Sequence, residues 1–362
     1  MEELNYHNPK LIIESANLKP GKVIWRSPSN IAIVKYWGKY GVQLPRNPSV
    51  SFTLASSFTD TMLEYRPKET PNNEIELELY FLQERREDFE ARVKKFFGSL
   101  TDIFPFIKQM SFTVRTGNSF PHSTGIASSA SAMSALALCL CSIEDQLFGG
   151  FENDAAYDKK ASFVARLGSG SACRSIFPTL SVWGETSHVE GSSNLYGIGI
   201  GDMIHENFKN FHDDILIVSS EEKSVSSSAG HALMEGNPFA EPRYNQARKN
   251  MGTVIQAIKA GDLETFGKIT EQEALTLHAM MMNSNYLLMR PNSLQIIELV
   301  RQYRRETNHP VYFTLDAGPN IHLLYPENIM PEVRVFIDEQ LAPLCDNNYY
   351  IGDWVGEGPE QQ

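Results

Sequence analysis

The sequence predicts an α+β fold of two lobes meeting at a cleft, and three observations carry this. Strand and helix patterns are mixed along the whole chain. A strand, a small-residue loop and a long apolar helix follow one another between residues 110 and 147, which offers a helix N-terminus to a ligand. A Gly/Ser-rich stretch, EGSSNLYGIGIGD, interrupts the pattern near the middle and sets the expected boundary between lobes 1–205 and 206–362.

Taken in order, residues 23–25, the apolar run from Ile31, the set Val50, Phe52 and Leu54, and residues 62–65 read as strands. Ile75, Leu77, Leu79 and Phe81 recur at a period of two against Glu76 and Glu78, a strand with one wet face. A helix is expected over 84–97, with Phe89, Val93, Phe96 and Phe97 on one side. Met110, Phe112 and Val114 give a strand, the loop GNSFPHSTG follows, and 126–147 is a long alanine-rich helix. Residues 155–167 predict a helix running into GSGSACRS, then a strand over 176–183. In the second lobe, 215–219 is a strand, helices follow at 226–234, 243–260, 263–282 and 294–307, and 311–315 is a strand that stops at DAGPN.

A length of 362 residues exceeds what one compact core usually reaches, so two lobes or one large α/β unit is expected. With 42% apolar and 21% charged residues, the chain is an ordinary globular one, which excludes disordered and collagen-like classes. A net charge of −12 opposes nucleic acid and anionic membrane as partners, so an anionic ligand needs a local cluster of cations. The start MEELNYHNPK lacks a basic n-region and an apolar h-region, and a cytoplasmic protein without a membrane span is expected. Cys139, Cys141, Cys173 and Cys345 are too scattered for a disulfide framework and lack zinc spacing; they are expected as buried thiols.

Four stretches could carry chemistry. In KYWGKYG (35–41), Lys35 and Lys39 leave an apolar strand together with Tyr36, Trp37 and Gly38. Surface cation–π packing would explain it, yet in an acidic chain an anion site is the better reading. The loop 118–131 lacks the Gly-Lys-Ser ending of a Walker A loop, but Gly125, Ala127, Ser128, Ser129 and Ser131 have the parts of a phosphate cradle. The same residues would equally cap a helix and pack tightly. In GSGSACRS (168–175), Arg174 is a planar donor fork among small residues, or a solvated arginine on a loop. Asp316, in DAGPN, ends a strand where a carboxylate can act as acid, base or orienter, though aspartate is common in turns. The run Met280–Met282 reads as helix packing, ERRED (84–88) as a solvated turn or helix start, and His122 and His278 lack a spaced partner.

Together and in this order, NIAIVKYWGK, FPHSTGIASSAS, GSGSACRS, KSVSSSAG and LDAGPN resemble the diphosphomevalonate decarboxylases of the GHMP kinase superfamily, colinearly over about residues 22–325. The resemblance implies a two-lobed GHMP kinase fold, with a ribosomal protein S5 domain 2-like N-terminal lobe and a ferredoxin-like C-terminal lobe. It implies ATP- and Mg²⁺-dependent decarboxylation of mevalonate 5-diphosphate to isopentenyl diphosphate, in a homodimer. By resemblance, Asp316 is the catalytic aspartate, Lys35 its ionic partner, and Arg174 holds the substrate's carboxylate. Tyr36, Trp37, Gly38, Lys39 and Arg92 match the diphosphate-binding positions, and Ser169, Gly170, Ser171, Ala172 and Cys173 the loop around the carboxylate and hydroxyl. Ser228 matches a substrate-contacting Thr or Ser. The ATP triphosphate is expected at Ser123, Gly125, Ala127, Ser128, Ser129 and Ser131, with Ser129 a candidate Mg²⁺ ligand beside the nucleotide's own phosphates. The sequence departs from the family at Pro121-His122-Ser123-Thr124 and at Pro48. Rival readings are a phosphomevalonate decarboxylase, a mevalonate 3-kinase, against which Asp316 argues, and a catalytically silent ligand-binding relative.

Overall fold

The computed structural model describes residues 5–14, 17–121, 126–221 and 227–362. Strands of three or more residues are β1 Gly21–Val34, β2 Ser49–Pro67, β3 Glu76–Phe81, β4 Met110–Asn118, β5 Leu180–Trp183, β6 Gly197–Gly199, β7 His212–Leu216, β8 Tyr312–Thr314 and β9 Ile321–Tyr325. The α-helices are α1 Glu87–Ser99, α2 Ser128–Phe148, α3 Asp154–Gly168, α4 Ser227–Ala232, α5 Ala240–Ala260, α6 Leu263–Asn283, α7 Pro291–Thr307 and α8 Met330–Phe336.

One sheet runs β1-β2-β4-β3, with β5 and β6 continuing from β2; only β3 and β4 pair in parallel. The second sheet runs β8-β9-β7 and ends on the short strand Tyr350–Ile351. Each expected pair of short strands at 23–34 and 50–65 is one long strand. Ser27, Ser29 and Asn30 look like a break but are buried and satisfied internally, bonding Ser134, the Ile126 carbonyl and Ser175. The register shifts around Pro28, whose missing N–H a regular ladder could not use. The helix expected from 84 starts at Glu87 instead, because Leu82 and Gln83 adopt positive φ and fold Glu84–Arg85 back as a strand on β3.

Among the described residues apolar faces assemble into one core in each sheet-helix layer, a third between them, and a small fourth around Trp37, Tyr244 and Leu277. The shared core joins Ile33, Val50 and Phe52 to Ile215, Met251, Val254 and Phe266. Phe52, Phe208, Phe211 and Phe266 meet there with ring centroids 4.9–6.3 Å apart. Such a joint fixes the two layers against each other and leaves the cleft on its rim. Helix α2 is apolar enough by composition to cross a bilayer, but 67% of that window is buried inside the fold. All four cysteines are free and buried, as expected.

Residues beyond 325 carried no sequence assignment; they form α8 and the last strand of the second sheet, and the final residues return to the first sheet. Glu360–Gln361 pairs with β1, and the Asp353 carboxylate accepts the N–H groups of Ala55 and Ser56 in β2 at 2.9 and 2.7 Å. Burial pushes the Asp353 carboxyl up to about 6, so the folded state holds its proton more tightly than the unfolded chain. Stability from this group is therefore fullest at low pH and falls as pH rises through about 6. Asp353→Asn keeps the acceptor oxygen and removes the charge. It is expected to stabilise the protein at pH 8 by on the order of 2–3 kcal/mol, seen as a raised thermal midpoint, and to help less at pH 5. A midpoint difference that does not shrink on acidification would contradict this.

Candidate active site

The chain leaves the sheet after Val34, and Lys35 turns its side chain into the protein with 1% exposure. A lysine is held there only by a built environment. Its backbone N–H donates to Glu273 at 2.9 Å, and its carbonyl accepts from the Asn47 amide at 3.0 Å. Glu273, wholly buried on α6, is gripped by Arg243 at 2.6 and 3.2 Å and by Asn250 at 2.7 Å, both from α5. The Lys35 Nζ meets the Asp316 carboxylate at 2.8 Å, across 281 residues of sequence.

Asp316 follows β8 on the turn that returns the chain to β9, and its carboxylate is partly open to the cleft. Its backbone carbonyl accepts from the His278 ring at 3.0 Å, which makes Nε2 of His278 the protonated nitrogen. Burial pushes His278 down to about 4, so it stays neutral and serves as a strut for the turn.

Arg174 lies in the 3₁₀ segment Gly170–Ile176 that follows α3. Its guanidinium donates to Ser51 at 2.8 Å, Ser49 at 2.6 Å and Asn30 at 3.3 Å. All three acceptors are neutral, so they fix the fork without cancelling its charge. Burial lowers its pKa, while Asp316 is among the groups that oppose that shift.

These residues line a cleft of about 770 Å³ between the lobes. Lys35, Lys39, Arg92, Lys95 and Arg174 face it against one lining carboxylate, Asp316, so a chain of net charge −12 concentrates cations here. Lys39 is half-buried and its pKa is lowered by that burial. Its ammonium reaches Gln43 at 3.2 Å across the small hairpin formed by Lys39–Tyr40 and Leu44–Pro45. Arg166 on α3 donates to the Val42 carbonyl, pinning the tip of that hairpin. A side chain at Gly170 would sit 2.7 Å from Trp183 and 2.9 Å from the Tyr36 hydroxyl. Only glycine lets the loop close under those rings.

Of the residues singled out by sequence, Lys35, Tyr36, Trp37, Lys39, Arg92, Ala127, Ser129, Ser169, Gly170, Ser171, Arg174 and Asp316 line the cleft. Others stand behind it. Gly38 gives its N–H to His231, and Ala172 and Cys173 are buried under the loop, with the Cys173 thiol pushed up to about 12 by burial. Ser128 opens α2, and Ser131 is buried with its hydroxyl shared with Thr59 at 2.6 Å. His122, Ser123 and Gly125 lie outside the described residues, and so does the side chain of Ser228. Sequence reading missed Lys95 and His231, which also line the cleft. Lys95 had a signal, since it lies three residues after Arg92 on one helical face. A lone histidine in AGHAL had none.

A two-lobed α+β chain with a cation-lined cleft between its sheets has the fold of the GHMP kinase superfamily. The diphosphomevalonate decarboxylase-like N-terminal domain matches residues 27–194, and the mevalonate 5-diphosphate decarboxylase C-terminal domain matches 214–354. The chain belongs to the diphosphomevalonate decarboxylase family. Diphosphomevalonate decarboxylase of Danio rerio is 29% identical over 328 residues, covering 84% of this chain and 76% of the relative. The mevalonate diphosphate decarboxylase structure from Staphylococcus aureus is 25% identical with a TM-score of 0.80, covering 96% of this chain and 99% of that one. A solved complex with MVAPP, AMPPCP and magnesium is 27% identical with a TM-score of 0.78, covering 95% and 99%.

Proposed function

We infer that the protein catalyses ATP-dependent decarboxylation of mevalonate 5-diphosphate, giving isopentenyl diphosphate, ADP, phosphate and CO₂, with the lobes 1–205 and 206–362 meeting at the site. The observation that carries this is the Lys35–Asp316 pair, buried on one side and open to a cationic cleft on the other. The related complex that binds MVAPP and AMPPCP supports the choice of ligands.

The residues divide the work. Asp316, oriented by Lys35 and by the His278 strut, accepts the proton of the substrate's tertiary hydroxyl as that oxygen takes the γ-phosphoryl group. Loss of phosphate with CO₂ then develops positive charge at the same carbon, which the carboxylate faces. Arg174 holds the departing carboxylate in one orientation. Lys39, Arg92 and Lys95 offer three cations for a diphosphate. Among the described residues no cluster of three or more His, Cys, Asp or Glu forms a metal site. Bound with the nucleotide, Mg²⁺ would be held mainly by the phosphates, with the exposed Ser129 hydroxyl as the protein group beside them, and would neutralise phosphate charge. Four free thiols fit a reducing, cytoplasmic setting.

Calorimetry tests the ligand assignment. With Mg²⁺ and a non-hydrolysable ATP analogue, mevalonate 5-diphosphate is expected to bind at least about tenfold more tightly than the 5-monophosphate, since another charged contact is worth about 1.5–3 kcal/mol. Equal or stronger binding of the monophosphate would favour that substrate. Lys39→Ala is expected to raise KM for the diphosphate by about 10- to 100-fold with kcat little changed, the pattern of lost uniform binding. Steady-state kinetics showing a loss confined to kcat would contradict a binding role.

A further inference from the structure

His231, on α4, takes part in none of the steps above, yet its ring lies 4.3 Å from that of Tyr36 and 4.8 Å from that of Trp37, at the wall of the cleft. Its Nδ1 accepts the Gly38 N–H at 3.0 Å. A backbone N–H can only donate, so Nδ1 is unprotonated and the proton of the neutral ring is on Nε2. The positive φ of Gly38, 92°, is the conformation that aims its N–H at the ring and carries the chain on to Lys39. Burial, with the Lys39 charge adding to it, pushes His231 down to about 3, so the ring is neutral at working pH. Among the described residues Nε2 has no hydrogen-bond partner, and the ring also borders the smaller cavity shared with Lys39 and Arg46.

We propose that His231 is a substrate-binding residue: anchored through Nδ1 on Gly38, it donates its Nε2–H to an oxygen of the substrate's anionic end beside Lys39. This rests on the function inferred above. A neutral donor adds a directional contact without a further charge, so it selects the position of an oxygen where the lysine supplies only attraction.

Two substitutions separate this role from support of the backbone. Asn places an amide oxygen near the position of Nδ1 and has no donor at Nε2. Gln places its amide N–H₂ near Nε2 and leaves Gly38 unpaired. His231→Asn is expected to raise Kd and KM for mevalonate 5-diphosphate by about tenfold, with ATP binding and kcat little changed, while His231→Gln stays closer to the parent. Unchanged binding by His231→Asn, or a larger loss in His231→Gln than in His231→Asn, would overturn the proposal and leave the ring a support for Gly38. Failure of the unsubstituted protein to bind mevalonate 5-diphosphate would instead remove the inferred function, and this inference with it. ATP-analogue binding and thermal midpoints of each variant report folding independently.

Discussion

Asp316→Asn is expected to lower kcat by about a thousandfold while mevalonate 5-diphosphate and ATP still bind. The substitution keeps the size of the side chain and an oxygen for the Lys35 ammonium, which now stands 2.8 Å away. On the proposed mechanism it removes the negative charge that takes the hydroxyl proton and faces the developing cation. The ion pair is asymmetric, Lys35 being buried and Asp316 partly open, so the lysine serves the carboxylate rather than the solvent. Loss of that charge leaves Lys35 buried without its counter-ion, and some stability should fall with activity. Rapid-mix single-turnover kinetics checks the assignment, because it separates chemistry from binding and product release. A variant with weakened binding and near-normal chemistry would place the proton acceptor elsewhere.

Glu273→Ala is expected to destabilise the protein by about 3–5 kcal/mol, because it strips Arg243 of its partner inside the core and leaves a buried cation uncompensated. Both side chains are almost wholly buried, at 1% and 0% exposure, and Asn250 bonds the same carboxylate. The Lys35 N–H loses its acceptor in the same step. Residual folded protein should therefore turn over more slowly although residue 273 touches no substrate, since the lysine's backbone is set by it. Chemical denaturation and activity measured on the same preparation test this. A variant as stable as the parent would show that the Arg243–Glu273 pair is not what holds the end of β1.

What could be read in the sequence followed from local physics. Period-two glutamates gave β3, and the small-residue run gave α2. The cation pair of KYWGK in an acidic chain marked two lysines that line the cleft, and the family resemblance paired Lys35 with Asp316, which nothing local connects. What could not be read was long-range or internally compensated. Ser27, Ser29 and Asn30 look like a loop until their partners on α2, at Ile126 just before it and in the 170–176 segment are known. Glu273, Arg243 and Asn250 look like solvated helix residues, because each is polar and their mutual satisfaction depends on how α5 packs on α6. The tail that clasps β2 through Asp353 has no pattern of its own; its structure comes from the sheet it joins.

Coupling of ATP cleavage to decarboxylation in this cleft is tested by measuring ADP and ¹⁴CO₂ release side by side with mevalonate, its 5-phosphate and its 5-diphosphate. Equal amounts of ADP and CO₂ from the diphosphate, with little from the other two, are expected. ADP without CO₂ would make the protein a kinase, and no ADP from any of the three would contradict a catalytic role.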